Sequence, residues 1–325
     1  MEVSAPSVFL NQLLDRRQKL AAAASTRPAA ADVQRLIGEV DEALKRIELG
    51  GFGLCETCHD PIETDRLIAD PLTRFCLDHL TPHEQRALQQ DLDLATRIQR
   101  ELLPKTDLVV GGWQIAYHYQ AAGPVSGDYC DLLPGPGGDT YFLVGDVAGK
   151  GVAAAMLMSH LSAMLRTLIS IGLPLPELME RASRVFCESS LPTHYVTLVC
   201  GRASTSGELE ICNAGHPPPL VIGRGEVTAV AATSLPIGMF CAEEFTCTTA
   251  RLQPGDTMLL YTDGLIEAQD AAGADYGMDR LRAFALAPLP ATPRAVVDAC
   301  VRDLGRFLGA RTPTDDVTVM ALRRV

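Results

Sequence analysis

The sequence predicts an α+β protein in which strands and helices pack in layers, preceded by a small module with closely spaced cysteines and by a connecting helix. From about residue 107 onward, runs of short apolar strands are separated by pairs of helical segments, which is typical of a layered α+β sandwich. The length of 325 residues is enough for one large domain and a smaller one. A hydrophobic content of 47% indicates a substantial core.

Composition argues against several classes of partner. The formal net charge of −12 disfavours general binding to nucleic acid or to an anionic membrane surface. The N-terminus lacks the charged-then-apolar pattern of a secretory signal. The most apolar segment, Met156 to Ile171, contains Arg166 and is too short to span a bilayer. We therefore expect a cytoplasmic protein with no membrane partner and no nucleic-acid partner.

Seven of the ten cysteines stand singly in apolar stretches. A cysteine in that setting behaves as a small hydrophobic residue, and the spacing does not indicate a secreted disulfide framework. We interpret seven cysteines as small buried hydrophobic residues: Cys130, Cys187, Cys200, Cys212, Cys241, Cys247 and Cys300.

The other three cysteines belong to a motif with the spacing of a zinc site. Cys55 and Cys58 are followed, seventeen residues later, by the pair Cys76 and His79. Two ligand pairs on tight turns suit tetrahedral zinc held by three thiolates and one imidazole. The segment between the pairs has two prolines and too few apolar residues for a core of its own, so a metal would stabilise it. A redox Cys-x-x-Cys motif or a chance pair is the alternative.

The region around this motif is organised as a tail and a helix. Residues 1–31 are predicted to be tail or linker, and residues 32–80 a helix followed by the cysteine module. The helix with GFGLCETCHDPI and RFCLDH resembles the DksA/TraR-type zinc finger. That family commonly has four cysteines, and His79 takes the last place here. The resemblance implies one structural zinc ion and no catalysis.

Residues 81–105 are predicted to form a linker helix. Thr81-Pro82 with Glu84 marks its start. A narrow apolar stripe follows: Leu88, Leu92, Ala95, Ile98 and Leu102. Such a stripe fits either a coiled-coil seam or a connector packed on the next domain. We favour a signalling linker that can also form a homodimer.

Residues 106–325 contain carboxylates at the ends of apolar strands. Three strands have them: Asp146 follows Tyr141 to Val144, Asp263 ends the strand that begins at Asp256, and Asp315-Asp316 precedes the last strand. Two more, Asp128 and Asp131, follow a turn. Carboxylates that converge from several strands can bind hard cations such as magnesium or manganese.

Three interpretations of these carboxylates compete. A P-loop is one, because Gly145 to Gly151 contains Gly-Lys, but three residues instead of four separate Gly145 from Gly149. A second is a set of unrelated turn aspartates. The third is a two-metal hydrolase, in which two cations activate a water and bind a phosphoryl oxygen. That chemistry needs convergent aspartates and no nucleophilic side chain, and no Gly-x-Ser-x-Gly element is present.

Five motifs occur in a characteristic order: SGDYCD at 126–131, GDVAGKG at 145–151, NAGHPPPL at 213–220, PGDTMLLYTDGLIEA at 254–268 and DDVTV at 315–319. The series resembles the metal-dependent PPM-type serine/threonine phosphatases, in their SpoIIE/RsbU-like branch. LATRIQRELLP at 94–104 is similar to the helix that precedes the catalytic domain in that branch. The resemblance implies a four-layer αββα sandwich with two manganese or magnesium ions at one edge of the sheets.

The resemblance also implies a set of metal ligands. By motif, Asp146 bridges the two metals, and the backbone carbonyl of Val147 is a further ligand. Asp263 and Asp315 bind one metal, and Asp128 acts on the other, partly through water.

Other positions have supporting roles in the same comparison. Asp131 and Asp316 are expected to support the ligands or to fix loops. Ser126 stands where the family usually has glycine. We read Asn213 to His216 as a structural turn, with a general-acid role for His216 as the alternative.

The resemblance implies a protein serine/threonine phosphatase that acts on a phosphorylated STAS-domain, anti-anti-sigma-like protein in bacterial partner-switching signalling. The N-terminal zinc-finger region would then be regulatory and meet an upstream regulator. Two alternatives from other classes remain, namely a catalytically silent phosphatase fold used for binding and a zinc-finger transcription regulator that binds RNA polymerase.

Overall fold

The computed structural model describes residues 9–21 apart from 11, 15 and 19, and then 31–80, 82–105, 107–190 and 194–325. The predicted helix start at Thr81 and most of the predicted tail, 1–31, lie outside the described residues. Contacts divide the chain into two units, Met1–Asp91 and Leu92–Val325.

Besides the helical residues within 9–21, the described part of the first unit has two helices of its own and the beginning of a third. These are α1, Ala31–Glu48, α2, Thr64–Ala69, and α3, Pro82–Leu102, which continues into the second unit. Helix α1 ends before Gly50, whose φ of 73° is the conformation that favours glycine at a helix end. The described residues of 9–21 are helical, and Leu13 packs against Val40 and Ala43 with no exposed surface. The sequence-based boundary at residue 31 therefore separates Leu13 from the helix that it contacts.

The second unit alternates strands and helices. Its remaining helices are α4 Gly151–Ile171, α5 Leu175–Ser189, α6 Asp263–Ile266, α7 Gly277–Leu286 and α8 Pro293–Leu308. Its strands are β1 Leu108–Val110, β2 Trp113–Gln120, β3 Asp128–Pro134, β4 Thr140–Val147, β5 Val196–Ala203, β6 Glu208–Ala214, β7 Leu220–Gly223, β8 Glu226–Ala229, β9 Thr248–Arg251, β10 Thr257–Tyr261 and β11 Val317–Arg324.

Two antiparallel sheets stack face to face in this unit. One has the strand order β1-β2-β11-β10-β7-β8, and the other β3-β4-β5-β6-β9. Because side chains alternate between the faces of a strand, Val144 points to the core between the sheets while Leu143 points to a helix layer. Helices α4 and α5 cover the second sheet, and α7 and α8 cover the first. The predicted four-layer αββα sandwich is confirmed.

Helix α4 includes the most apolar segment and begins five residues before it, at Gly151. It has 21 residues, and by length and composition alone it could cross a membrane, so the expectation that this segment is too short was wrong. A stripe along the helix is buried against β3 and β4: Ala154, Met158, Leu161 and Leu165. That packing is typical of the core helix of a layered fold.

Asp131 helps to attach helix α4 to the sheet. It lies three residues after Asp128 in β3, on the opposite face of the strand, and its side chain has no exposed surface. Arg166 of α4 donates from Nε to Asp131 Oδ2 at 2.7 Å and from Nη2 to Oδ1 at 3.1 Å. Arg166 Nη2 also donates to the carbonyl of Leu102, the last residue of α3, at 2.8 Å. The pair therefore joins β3, α4 and the end of α3.

Four cysteines that we expected to be single are paired. Disulfides join Cys187 to Cys241 and Cys212 to Cys247, across 54 and 35 residues of sequence. Both bridges attach the connection between β8 and β9 to the rest of the unit. These pairs are brought together by the sheet and helix packing, which spacing along the sequence does not reveal. The other three of the seven, Cys130, Cys200 and Cys300, are free and buried as expected.

The pairing predicts which cysteines resist alkylation. In protein purified and denatured without reductant, Cys187, Cys241, Cys212 and Cys247 should stay unmodified, because a sulfur in a disulfide is not a nucleophile. Peptide mass spectrometry identifies the two cross-linked pairs. Prior reduction is the control and should expose all ten cysteines. Complete alkylation without reductant would contradict the pairing.

The ion pair between the buried Asp131 and Arg166, whose side chain is 42% exposed, predicts an effect on stability. Asp131→Asn removes a charged acceptor of two hydrogen bonds and should lower the free energy of unfolding by about 2 kcal/mol. Urea unfolding followed by the fluorescence of Trp113, the single tryptophan, reports on this unit.

The matched control is Asp298→Asn. It makes the same chemical change in an exposed pair with Arg294, whose charged atoms are 3.7 Å apart. An exposed pair contributes at most about 1 kcal/mol. Equal destabilisation by the two variants would show that Asp131 has no special structural role.

Candidate functional site

Four predicted carboxylates lie where strands of the two sheets end. Asp146 is near the end of β4, and Asp128 stands directly opposite it at the start of β3. Asp263 begins helix α6 after β10, and Asp315 lies just before β11. Antiparallel pairing of β10 with β11 brings the last two together, because the end of one strand meets the start of the other.

Asp128 is the most buried of these carboxylates, with 1% of its surface exposed. Its Oδ2 accepts hydrogen bonds from the hydroxyls of Thr262, at 2.9 Å, and Thr318, at 2.5 Å. Thr262 directly follows β10, and Thr318 lies in β11. Both strands belong to the other sheet, so the side chain of Asp128 joins the two sheets. Burial, and then the charges of Asp146 and Asp316, raise the pKa of Asp128 well above its usual value, and the bond from Thr318 opposes this.

Asp146 and Asp263 are close enough to other carboxylates to be affected by their charge. Burial and then the charges of Asp263 and Asp315 raise the pKa of Asp146 to about 7. Burial and then Asp315 raise the pKa of Asp263. Repulsion among carboxylates at one place is what a bound divalent cation relieves, and an all-oxygen donor set suits magnesium or manganese. The donor types therefore suit the predicted cations, whereas among the described residues no three of these carboxylates have ligand atoms within 4.8 Å of one another.

A close approach of backbone segments surrounds this cluster. A Cβ on Gly127 would lie 3.3 Å from Asp146 Oδ1 and 3.1 Å from the carbonyl oxygen of Val147. Val147 N donates to the carbonyl of Gly127 at 3.3 Å. A Cβ on Gly264 would lie 1.9 Å from the backbone oxygen of Asp316. Glycine at 127 and 264 thus allows the carboxylate-bearing segments to meet.

Asp316 and Gln99 fix the segment before Asp128. The carboxylate of Asp316 accepts hydrogen bonds from the backbone N–H groups of Ala122, at 2.8 Å, and Gly127, at 2.9 Å. Gln99 of α3 is buried and makes two bonds to Ser126, donating to its carbonyl at 2.7 Å and accepting from its N–H at 3.0 Å. Asp316 therefore fixes a loop, while Asp131 faces the helix side and does not reach the cluster.

A basic side chain lies beside the cluster. Lys150 precedes helix α4, and its Nζ is 2.8 Å from Asp315 Oδ2 and 3.4 Å from the carbonyl of Thr314. Lys150 belongs to the GDVAGKG motif, but the motif alone did not indicate a contact with Asp315.

His216 is buried beside Thr197, the cross-strand neighbour of Asp146, and its contacts are those of a structural residue. It is 3% exposed, and its backbone N–H donates to the side-chain oxygen of Asn213 at 2.9 Å. Its Nδ1 is 2.9 Å from the hydroxyl of Thr197, which pairs with Asp146 across the sheet. Burial lowers the pKa of His216 to about 3, so the ring is neutral. A neutral, enclosed imidazole favours the structural turn over the general acid.

The hydrogen bonds from Thr262 and Thr318 to Asp128 were not predicted from the sequence. Thr262 stands next to Asp263, and Thr318 stands three residues after Asp315, both within the motifs that we singled out. Their hydroxyls become relevant only when β10 and β11 pair and the sheets stack, so the linear pattern gave no sign of the bonds to Asp128.

The predicted zinc residues meet in the first unit. One ligand atom from each of Cys55, Cys58, Cys76 and His79 lies within 4.8 Å of the others. The sulfurs of Cys58 and Cys76 are 3.7 Å apart, and Cys76 Sγ is 3.3 Å from His79 Nδ1. Tetrahedral zinc with bonds of about 2.3 Å to sulfur needs sulfurs about 3.8 Å apart, so the donors fit zinc. His79 completes the set in place of the fourth cysteine.

Comparison with known proteins agrees with both regions. Residues 136–325 match the family described as Stage II sporulation protein E (SpoIIE), and residues 50–85 match the prokaryotic dksA/traR C4-type zinc finger. The resemblances inferred from the motifs are confirmed.

Two curated relatives cover much of the chain. Protein IcfG from Synechocystis sp. is 27% identical over 268 residues, which are 72% of this chain and 41% of that protein. Phosphoserine phosphatase RsbP from Bacillus subtilis is 29% identical over 185 residues, which are 55% of this chain and 46% of that protein. The chain thus spans less than half the length of these two relatives.

A solved structure has the same fold. The RsbU and RsbW domains of Rv1364c from Mycobacterium tuberculosis align with a TM-score of 0.58 and 32% identity, over 68% of this chain and 63% of that one. The order of the five motifs, the αββα layers and the family match over more than half of the sequence agree. The chain belongs to the SpoIIE family and has a dksA/traR-type zinc finger before the family domain.

Proposed function

We propose that residues 106–325 form a metal-dependent protein phosphatase that hydrolyses phosphoserine or phosphothreonine. The observation that carries the proposal is the placement of Asp128, Asp146, Asp263 and Asp315 along one edge of the two sheets, where burial and then the charges of neighbouring carboxylates raise the pKa of Asp146 to about 7. Family membership and the similarity to a phosphoserine phosphatase support the same activity.

Two manganese or magnesium ions would be held by these residues. In the proposal, Asp146, the carbonyl of Val147, Asp263 and Asp315 would hold the ions. Asp128, fixed by Thr262 and Thr318, would be a further carboxylate of the same site. Bound cations of this kind supply an activated water and neutralise charge on phosphoryl oxygens.

The chain's own contribution is to position the acidic groups. Burial of Asp128 and its two hydroxyl donors leave its carboxylate one orientation. Gly127 leaves space beside Asp146, because a Cβ there would lie 3.3 Å from its carboxylate oxygen. The neutral His216 supports the strand of Thr197 beneath Asp146 without adding charge.

The proposed substrate is a phosphorylated STAS-domain protein of a partner-switching system. The SpoIIE/RsbU-like motifs and the relative named RsbP support this assignment. A catalytically silent fold used only for binding is the alternative, and the presence of all four predicted ligand carboxylates at one edge of the sheets disfavours it.

The N-terminal region is proposed to be regulatory. One structural zinc ion would hold Cys55, Cys58, Cys76 and His79 together, and an upstream regulator would act on this region. Exposed Leu88 and Ile98 on α3, 46% and 55% accessible, support a homodimer through this helix. We further propose a cytoplasmic location, a compartment in which disulfides such as Cys187–Cys241 form only under oxidising conditions.

Removing one carboxylate tests the phosphatase. Asp263→Asn should reduce manganese-dependent phosphate release from a phosphoserine STAS protein by more than about 100-fold, because even groups that only support a metal ligand contribute ten- to a hundredfold. The control is Asp279→Asn on α7, an exposed carboxylate outside the cluster. Circular dichroism checks that both variants fold. Full activity in Asp263→Asn would refute the proposed site.

Zinc content tests the second metal site. Cys76→Ser should remove bound zinc, measured by elemental analysis of the purified full chain, because a hydroxyl is a poor zinc ligand. His79→Cys should retain one zinc ion per chain, since four thiolates bind zinc equally well. Cys300→Ser, in a buried position of the other unit, is the matched control. Stoichiometric zinc in Cys76→Ser would exclude this ligand set.

A further inference from the structure

The Gly149-Lys150-Gly151 turn has no role in the function proposed so far. It does not have P-loop spacing, yet it lies between Asp146 and helix α4. Gly149 and Gly151 have φ values of 112° and 75°, which favour glycine, and a Cβ on either would meet nothing within 4 Å. The two glycines therefore allow a backbone conformation that orients the side chain of Lys150 between them.

That side chain faces the carboxylate cluster. Lys150 Nζ is 2.8 Å from Asp315 Oδ2, and 70% of the lysine side chain is exposed. Burial and neighbouring carboxylates raise the pKa of Asp146 and Asp263, and the charge of Lys150 opposes both effects. Lys150 is thus an internal counter-ion for several of the proposed metal ligands.

A cation bound by Asp315 would compete with this lysine. The carboxylate of Asp315 is half-exposed, and an exposed ion pair contributes at most about 1 kcal/mol, so a divalent cation can displace the ammonium group. The displaced ammonium stays beside the cluster because its backbone is held between β4 and α4. Its flexible four-carbon stem then allows it to contact a nearby anion.

If the proposed function holds, the anion that reaches this cluster is the phosphoryl group of the substrate. An ammonium group binds phosphate as a point charge, and charge-assisted hydrogen bonds to phosphoryl oxygens are among the stronger ones in proteins. We propose that Lys150 pairs with Asp315 until divalent cations bind there, and then binds a phosphoryl oxygen of the substrate. This inference rests on the proposed metal-dependent phosphatase.

Two titrations of the full chain test the exchange of partners, and neither depends on turnover. Calorimetric titration with Mn²⁺ measures competition at Asp315. In Lys150→Met, manganese should bind about three- to fivefold tighter, because the competing ion pair is gone. Titration of the Mg²⁺-saturated protein with inorganic phosphate measures the second contact. In the same variant, phosphate should bind about tenfold more weakly.

Two variants serve as controls. Lys150→Arg keeps the positive charge and should stay close to the wild type in both titrations. Lys105→Met removes an exposed lysine between α3 and β1, so it makes the same change in net charge outside the cluster. It should leave both affinities unchanged.

The outcomes separate this inference from the proposed function. Tighter manganese binding together with weaker phosphate binding in Lys150→Met alone supports it. Unchanged manganese affinity, or unchanged phosphate affinity, in that variant overturns it while leaving the metal site and the phosphatase intact. A wild-type protein that binds no manganese overturns both.

Discussion

The repulsion among carboxylates gathered at one edge of the two sheets is the constraint on which the rest of the second unit depends. Asp146 and Asp263 are raised in pKa by burial and by their acidic neighbours, so bringing them together without a cation costs free energy. Other contacts of the fold hold these segments in place against that cost. Two threonine hydroxyls hold Asp128, and glycines at 127 and 264 let the segments approach.

The sandwich explains how neighbours in this cluster come from distant parts of the chain. Residue 128 pairs across β3 and β4 with residue 146, and its side chain is bonded to residues 262 and 318 of the other sheet. Asp316 bonds to the backbone at 122 and 127 and so fixes the same segment from the other side. Gln99 adds two bonds from helix α3. The position of Asp128 is therefore determined by four elements at once.

The parts that the sequence predicted are those with a local signal. Apolar runs that end in aspartate mark β4 and β10, and motif order indicated the family. The threonine bonds to Asp128 and the Cys187–Cys241 pair depend on sheet stacking, which has no local signal. Asp131 is an intermediate case. It stands three residues from Asp128 in a strand, and odd spacing alone places the two on opposite faces.

The two predicted metal sites differ in a way that matches their proposed roles. The zinc donors lie at distances that already fit a tetrahedral ion, and all four ligands come from protein, which leaves no open position for a substrate. The carboxylate cluster has the opposite character. Its members repel one another, Asp315 is half-exposed, and Lys150 holds it only through an exposed ion pair. A lysine that can be displaced from Asp315 leaves room at the site for water and phosphate. Hydrolysis of a phosphate ester requires that room.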